Sequence, residues 1–345
     1  MKAAILENGA IRVADTPDPI PAQGQVLVRT QRCALCASDA HFLVSGPTIV
    51  AKSKQFGGPY AGVDLHKPIV MGHEFVGEIL DYGPDSRRPL RVGTKVTAIP
   101  GMTKGPAPGI VGYRSELPGG YGEYMLLDED LLLEVPSGLD DDLAALIEPL
   151  AVGLEHARAG EPRPGETPLV IGCGAIGLGL IAGLKLQGIG PIVAADFDAG
   201  RRALALRMGA DVALDPREIS PYQSIPQIGG RRPDLIYECV GKPGLLNDII
   251  GSAAPRARIV MGGFCLEPEQ LYVPTAQYKR LKIHFACGEE PQDMELALRA
   301  ICDGRIDVQP WIGARIGLND VGPALQRMND PASPVRTVVD PRRSG

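Results

Sequence analysis

Nine residues, "CALCASDAH" (33–41), hold two cysteines, a serine, an aspartate and a histidine, enough for a metal site, a thiol pair or a proton relay. Further on, "MGHEF" (71–75) sets His73 directly before Glu74, and "IEPL" (147–150) places Glu148 on an apolar helix face. A catalytic zinc takes three protein ligands from Cys, His and carboxylate and leaves a fourth position open. Cys36, His73 and either Glu74 or Glu148 meet that count. A metalloprotease H-E-x-x-H would need a histidine at 77, where the chain has Gly77. Neighbouring strand side chains point to opposite faces, so His73 and Glu74 reach one ion only if Gly72 permits a bend. A buried carboxylate at 148 is costly unless a metal or a basic partner relieves it. Each residue also has a plain structural explanation: a small core cysteine, a histidine on a carbonyl, a glutamate in a salt bridge.

A second constellation is Gly172-Cys173-Gly174-Ala175-Ile176-Gly177, a G-x-G-x-x-G that follows the apolar strand "LVI" and opens a helix. In that context the first glycine allows a tight turn and the second lets backbone approach a pyrophosphate. The third brings the helix close to the sheet, and the helix N-terminus faces the phosphates. Asp196 ends the next strand, where an acid bonds an adenosine ribose diol and repels a 2′-phosphate. This favours NAD over NADP, although Arg201 and Arg202 follow closely and could meet a phosphate. Arg201 could equally hold the ribose edge.

The elements that must position these groups fall into two textures. Residues 1 to about 135 show short alternating or β-branched runs ("AAIL", "GQVLVRT", "FVGEIL", "GTKVTAI", "YMLLDEDLLLEV") broken by Gly and Pro, the pattern of an irregular antiparallel β domain. In "LDDDLAALIEPLAVGLEHARAG" the period changes: aspartates crowd a helix N-terminus, Pro149 ends or kinks the helix, and Gly160 closes it. Strand, glycine turn, helix and strand then repeat through "PDLIYECVG" and "ARIVMGGF", as in a parallel sheet. Two amphipathic helices ("DMELALRAICDG", "LNDVGPALQRMND") and a last strand, "RTVVD", complete the chain. The expected organisation is α/β, with residues 1–152 and 286–345 in one domain and 153–285 in a doubly wound, NAD-binding one.

Bulk properties narrow the class. A net charge of −6 without a basic run argues against nucleic acid. The start does not read as a signal peptide. "PLVIGCGAIGLGLIAGL" (168–184) is apolar but glycine-patterned and short for a membrane span. Seven cysteines at irregular spacings do not form a disulfide framework, and a reducing cytoplasm is the natural compartment.

In "LCASDAH" (35–41), "GHEFVGEI" (72–79), "GGYGEYM" (119–125), "EPLAV" (148–152), "VIGCGAIG" (170–177), "ECVG" (238–241) and "VRTVVDP" (335–341), the chain resembles the medium-chain dehydrogenase/reductase superfamily, zinc-dependent alcohol and polyol dehydrogenase type. The resemblance implies a GroES-like irregular β catalytic domain and a Rossmann-type domain. It makes Cys36 and His73 zinc ligands and Glu148 a further ligand, direct or through water. Glu74 becomes an acid able to swing onto the metal or stand behind it. Ser38 takes the alcohol proton and His41 is the outer end of the relay, reached by way of a cofactor ribose hydroxyl. Val240 in "ECVG" lies at the cofactor, and Arg336 near where some members direct a cation to its phosphates. Cys33 is a packing residue, and Asp39 braces the loop or helix start.

Two departures from the family pattern stand out. Many members hold a second, structural zinc on four closely spaced cysteines. Here no cysteine lies between Cys36 and Cys173, so one zinc is expected. The gap from Cys36 to His73 is long and reads either as a loop over the substrate opening, with Phe56, Tyr60 or His66 facing a ligand, or as a surface or subunit-contact loop. The implied reaction is hydride transfer between a secondary alcohol or polyol, or the matching ketone, and NAD, in a homodimer or homotetramer assembled through the strand region "LYVPTAQYKRLKIHF" (271–285). A zinc-independent enone or quinone reductase and a non-catalytic NAD-binding protein are the rival readings.

Overall fold

The computed structural model describes residues 1–224, 232–328, 330 and 333–343. They form two compact units, Met1–Glu148 with Met294–Gly345, and Pro149–Asp293. The second is slightly wider at both ends than the 153–285 read from sequence. Its limits fall inside the helices Ile147–Ala159 and Pro291–Cys302, where no change of residue texture marks them.

In the first unit the strand Gln25–Ala34 is the organising element. It pairs antiparallel with Glu74–Tyr82, Tyr124–Asp128 and the C-terminal strand Arg336–Val339. "QVLVRTQRCA" buries Val26, Val28 and Thr30, then Cys33 and Ala34 in succession, and its pairing with Glu74–Tyr82 shifts register between Thr30 and Arg32. Such an irregularity bends a strand and re-aims its side chains. Beyond it, Ala34 stands opposite Glu74 on one side and Val338 on the other. The end of this strand therefore brings the Cys36 segment, the His73–Glu74 segment and the C-terminus to one place. Arg32 fastens the arrangement through Asp142 at 2.8 Å and Asp340 at 3.1 Å.

The run "YMLLDEDLLLEV" is two strands, Tyr124–Asp128 and Leu132–Glu134. Asp140 caps the short helix Asp141–Ala144 by accepting the N–H groups of Asp142 and Leu143. Pro149 neither ends nor kinks a helix: it lies in the first turn of Ile147–Ala159, where a missing N–H costs nothing. The long gap between Cys36 and His73, expected as a loop, instead begins with the helix Ala37–Phe56, with Pro47 inside it and Gly57 closing it at φ 79°.

The second unit is a six-stranded, all-parallel sheet ordered Val212–Leu214, Val193–Ala195, Leu169–Ile171, Leu235–Glu238, Arg258–Met261, Lys282–Phe285. The chain starts in the middle, winds to one edge, then returns and winds to the other, leaving a switch point beside Leu169–Ile171. Leu169, Ile236, Ile249 and Ile259 are fully buried in its core, each contributing roughly 1.5–3 kcal/mol. The apolar run 168–184 is a strand, a glycine turn and the buried helix Ala175–Leu186. No helix of the described residues is long and apolar enough to cross a membrane.

Candidate active site

Cys36 sits at the N-terminal end of the helix Ala37–Phe56, and His73 just before the strand Glu74–Tyr82. Gly72 makes the bend that the neighbouring pair requires. Its φ is 100°, and a Cβ there would meet the Tyr121 ring at 2.7 Å and Cys33 Sγ at 2.9 Å. Cys33 is thus a buried packing residue of this turn. The result is a cluster in which one ligand atom each from Cys36, His73 and Glu74 lies within 4.8 Å of the others. Sulfur, imidazole nitrogen and carboxylate oxygen form a donor set suited to zinc. Glu74 Oε2 is buried with no hydrogen-bond partner among the described residues, an arrangement that a bound cation would satisfy.

Ser38 Oγ lies at the edge of this cluster, 3.1 Å from Cys36 Sγ and 3.4 Å from His73 Nε2. Behind it is Asp39, fully buried. Its carboxylate accepts the hydroxyls of Tyr113 at 2.8 Å and Tyr121 at 2.6 Å. His73 Nδ1 is 3.3 Å away, close enough for charge attraction though not aligned as a hydrogen bond. Burial alone would raise the Asp39 pKa, but His73 and the two tyrosines outweigh it and hold the carboxyl below its usual range. For Cys36, burial leads, with Glu74 adding to it, and the thiol is pushed up against the opposing pull of His73 and Arg336. A cation binding here must therefore displace a proton.

Within the second unit, Gly172 turns at φ 94°, and a Cβ on it would press on Cys239 backbone at 3.0 Å and Val240 Cγ2 at 2.8 Å. A Cβ on Gly177 would lie 2.0 Å from the Gly172 carbonyl oxygen, whereas one on Gly174 meets nothing within 4 Å. Ala175 and Ile176 open the helix, which no side chain caps. A turn that packs tightly at its ends and is open at its middle glycine fits a pyrophosphate. Asp196 Oδ2 accepts the Cys173 N–H at 2.8 Å, which fixes the acid beside the loop. Arg202 is committed to the carbonyls of Asp196 and Phe197 and to Asp215. Arg201 is half-buried, and its Nε has no hydrogen-bond partner among the described residues.

Residues 22–137 match the family described as alcohol dehydrogenase GroES-like domain, and residues 175–302 match zinc-binding dehydrogenase. The chain is 30% identical to the (R,R)-butanediol dehydrogenase of Bacillus subtilis, over 73% of this chain and 74% of that one. It is 29% identical to the (R,R)-butanediol dehydrogenase of Neisseria gonorrhoeae over 99% of both. The crystal structure of 2R,3R-butanediol dehydrogenase from Bacillus subtilis superposes with a TM-score of 0.81, at 26% identity and 99% coverage of each chain. The chain belongs to the zinc-type alcohol and polyol dehydrogenases of the medium-chain dehydrogenase/reductase superfamily. It is an enzyme of the nicotinamide-dependent class, with a GroES-like unit and a Rossmann unit.

Several residues of this dehydrogenase lie where sequence reasoning did not put them. Arg336, read as a cation for cofactor phosphates, is buried and donates to Glu74 Oε1 at 2.8 Å. The cause is register: its strand pairs with the end of Gln25–Ala34, directly across from Glu74. Glu148 is buried in the same unit and raises the Arg336 pKa by its charge, so it has the basic partner that its burial demanded. The cluster of potential ligands among the described residues includes Glu74 and not Glu148. Val240 is exposed beside the glycine turn, its N–H held by Glu238 Oε1 at 2.6 Å. His41 is half-buried on the same helix as Ser38.

Phe56 and His66 are exposed, whereas Tyr60 packs on Phe42 at 5.7 Å and edge-on against Tyr113 at 5.1 Å. Sequence reasoning missed Tyr113 and Tyr121, and gave Asp39 only a bracing role. The one available signal was an acid lodged between Ser38 and His41, which needed donors from elsewhere in the chain.

Proposed function

We propose that the enzyme interconverts a secondary alcohol or polyol and the matching ketone, with NAD as hydride carrier. The observation that carries this is the convergence of Cys36, His73 and Glu74 within 4.8 Å, with the Ser38 hydroxyl beside them. A zinc-independent enone reductase would leave this donor set without a role. Cys36, His73 and Glu74 would hold one zinc, with Glu148 acting through Arg336 rather than as a ligand. Bound zinc is a Lewis acid, of the kind that brings the pKa of water from 15.7 to roughly 7. A bound nicotinamide accepts or returns the hydride.

The chain's own residues do the rest. Asp39 stands 3.3 Å from His73 Nδ1 and attracts the ring by its charge, in the place where a carboxylate commonly braces a metal-binding histidine. Arg336 neutralises Glu74 while leaving Oε2 available. Ser38 accepts the hydroxyl proton, and His41, three residues on along the same helix, lies on its way to solvent. Phe42, Tyr60 and Tyr113 form an aromatic cluster bordering His73 and keep that side dry.

In the second unit the turn Gly172–Gly177 takes the pyrophosphate and Asp196 the adenosine ribose. Asp196, fixed beside the loop, and an Arg202 already occupied by protein partners support NAD over NADP, with Arg201 the remaining cation that could hold the ribose edge. The edge strand Lys282–Phe285, with exposed Tyr272, Val273, Tyr278 and Phe285, suits a second copy of the chain in a cytoplasmic homodimer or homotetramer. A single-chain mass in solution would contradict that assembly.

The names of the relatives make a small vicinal diol the first substrate to try. A panel of diols, polyols and primary alcohols, run with NAD and with NADP on zinc-loaded protein, should give highest kcat/KM for a diol or polyol with NAD. Reduction of enones with no alcohol oxidation would overturn the reading.

A further inference from the structure

Tyr113 touches two polar groups and has one proton to give. Its hydroxyl is 2.8 Å from Asp39 Oδ1 and 3.1 Å from Ser38 Oγ. Its ring is buried and clamped edge-on by Phe42 at 5.0 Å and Tyr60 at 5.1 Å, so the oxygen has little room to move. An ionised carboxylate only accepts, and a buried one takes the strongest donor within reach. The Tyr113 proton is therefore committed to Asp39, and Tyr113 can offer Ser38 only a lone pair. Ser38 Oγ also donates toward Cys36 Sγ at 3.1 Å and lies 3.4 Å from His73 Nε2; these are the two atoms that would give their lone pairs to a metal, and Tyr113 is the acceptor that a metal leaves untouched.

We propose that Tyr113 is a positioning residue for the reaction: it takes the Ser38 hydroxyl proton as a hydrogen bond and so turns the serine's lone pairs toward the substrate. This rests on the reading of Ser38 as first acceptor of the alcohol proton. In that step the alcohol's proton moves onto Ser38 Oγ while the serine's own proton, released from Tyr113, leaves toward His41. Ser38 ends as a hydroxyl, and Tyr113 neither gains nor loses a proton. A phenylalanine at 113 would fill the same aromatic slot without fixing the serine, which gives the tyrosine oxygen a purpose that packing does not.

Tyr121 supplies the control, because it donates to Asp39 Oδ2, whereas Ser38 Oγ meets Cys36, His73 and Tyr113. On full-length, zinc-loaded enzyme, Tyr113→Phe should lower kcat about tenfold or more, a fraction of what general acid–base groups contribute. Substrate KM, zinc content and NADH binding should stay near wild type. Tyr121→Phe should lose less than about threefold in kcat, since it removes hydrogen bonds to the shared carboxylate and to the Ala34 carbonyl and none to Ser38. Ser38→Ala should be slow, and the Ser38→Ala/Tyr113→Phe double variant no slower than Ser38→Ala alone. Melting temperatures of the four proteins should show the same coupling, with the double variant less destabilised than the sum of the single ones.

Loss of zinc from Tyr113→Phe, equal losses in Tyr113→Phe and Tyr121→Phe, or additive effects in the double variant would each overturn the inference while leaving the Ser38 reading intact. Wild-type turnover in Ser38→Ala would overturn both.

Discussion

At the residue scale, the site is a set of buried charges that neutralise one another while leaving one face unsatisfied. Glu74 gives one oxygen to Arg336 and keeps the other. Removing one member of such a buried pair costs roughly 3–5 kcal/mol, so Arg336 is as structural as it is functional. Cys36, Ser38, His73 and Glu74 were legible because local motifs hold them at fixed spacing. Arg336, Tyr113 and Tyr121 were not, since their partners depend on strand register and on the return of the chain through the Gly/Pro-rich stretch.

His41 carries a pH prediction. Burial lowers its pKa from the ordinary 6.5. A group that receives a proton must be neutral, so alcohol oxidation should fall as pH drops through this lowered value and hold steady above it. The acidic limb of the kcat–pH profile should therefore lie below pH 6.5 and disappear in His41→Gln. An acidic limb unchanged by that substitution would remove His41 from the relay.

At the element scale, the parallel sheet was readable because fully buried strands are nearly continuous in apolar residues and the glycine turn punctuates them. The helix Ala37–Phe56 was hidden: Gly46 and Pro47 interrupt it, and its apolar residues do not repeat at a helical period. Its first turn delivers Ser38, Asp39 and His41, so a misread element still carried correctly read residues. The glycine turn separates folding from binding. Gly174 has φ −69° and open space around its Cβ direction, so a side chain there meets no protein. Gly174→Val should keep the melting temperature and zinc content but raise the KM for NAD about tenfold or more, because the backbone can no longer approach a pyrophosphate. Unchanged NAD affinity would mean that the phosphates lie elsewhere.

At the scale of the whole molecule, each unit carries its own half of the proposed chemistry: candidate metal donors and a proton path in one, a candidate phosphate-binding turn in the other. Family membership was visible from the order of seven short motifs along nearly the entire chain. Where the units part was less visible, because the chain passes from one to the other inside helices. On the proposed function, Cys36, His73 and Glu74 bind the zinc on which turnover depends. The most direct measurement is zinc content paired with alcohol oxidation, before and after chelation and in Cys36→Ser. About one zinc per chain is expected, with loss of activity on its removal, recovery when zinc is returned, and a Cys36→Ser protein that binds NADH but neither zinc nor substrate productively. Full turnover by zinc-free protein would contradict it.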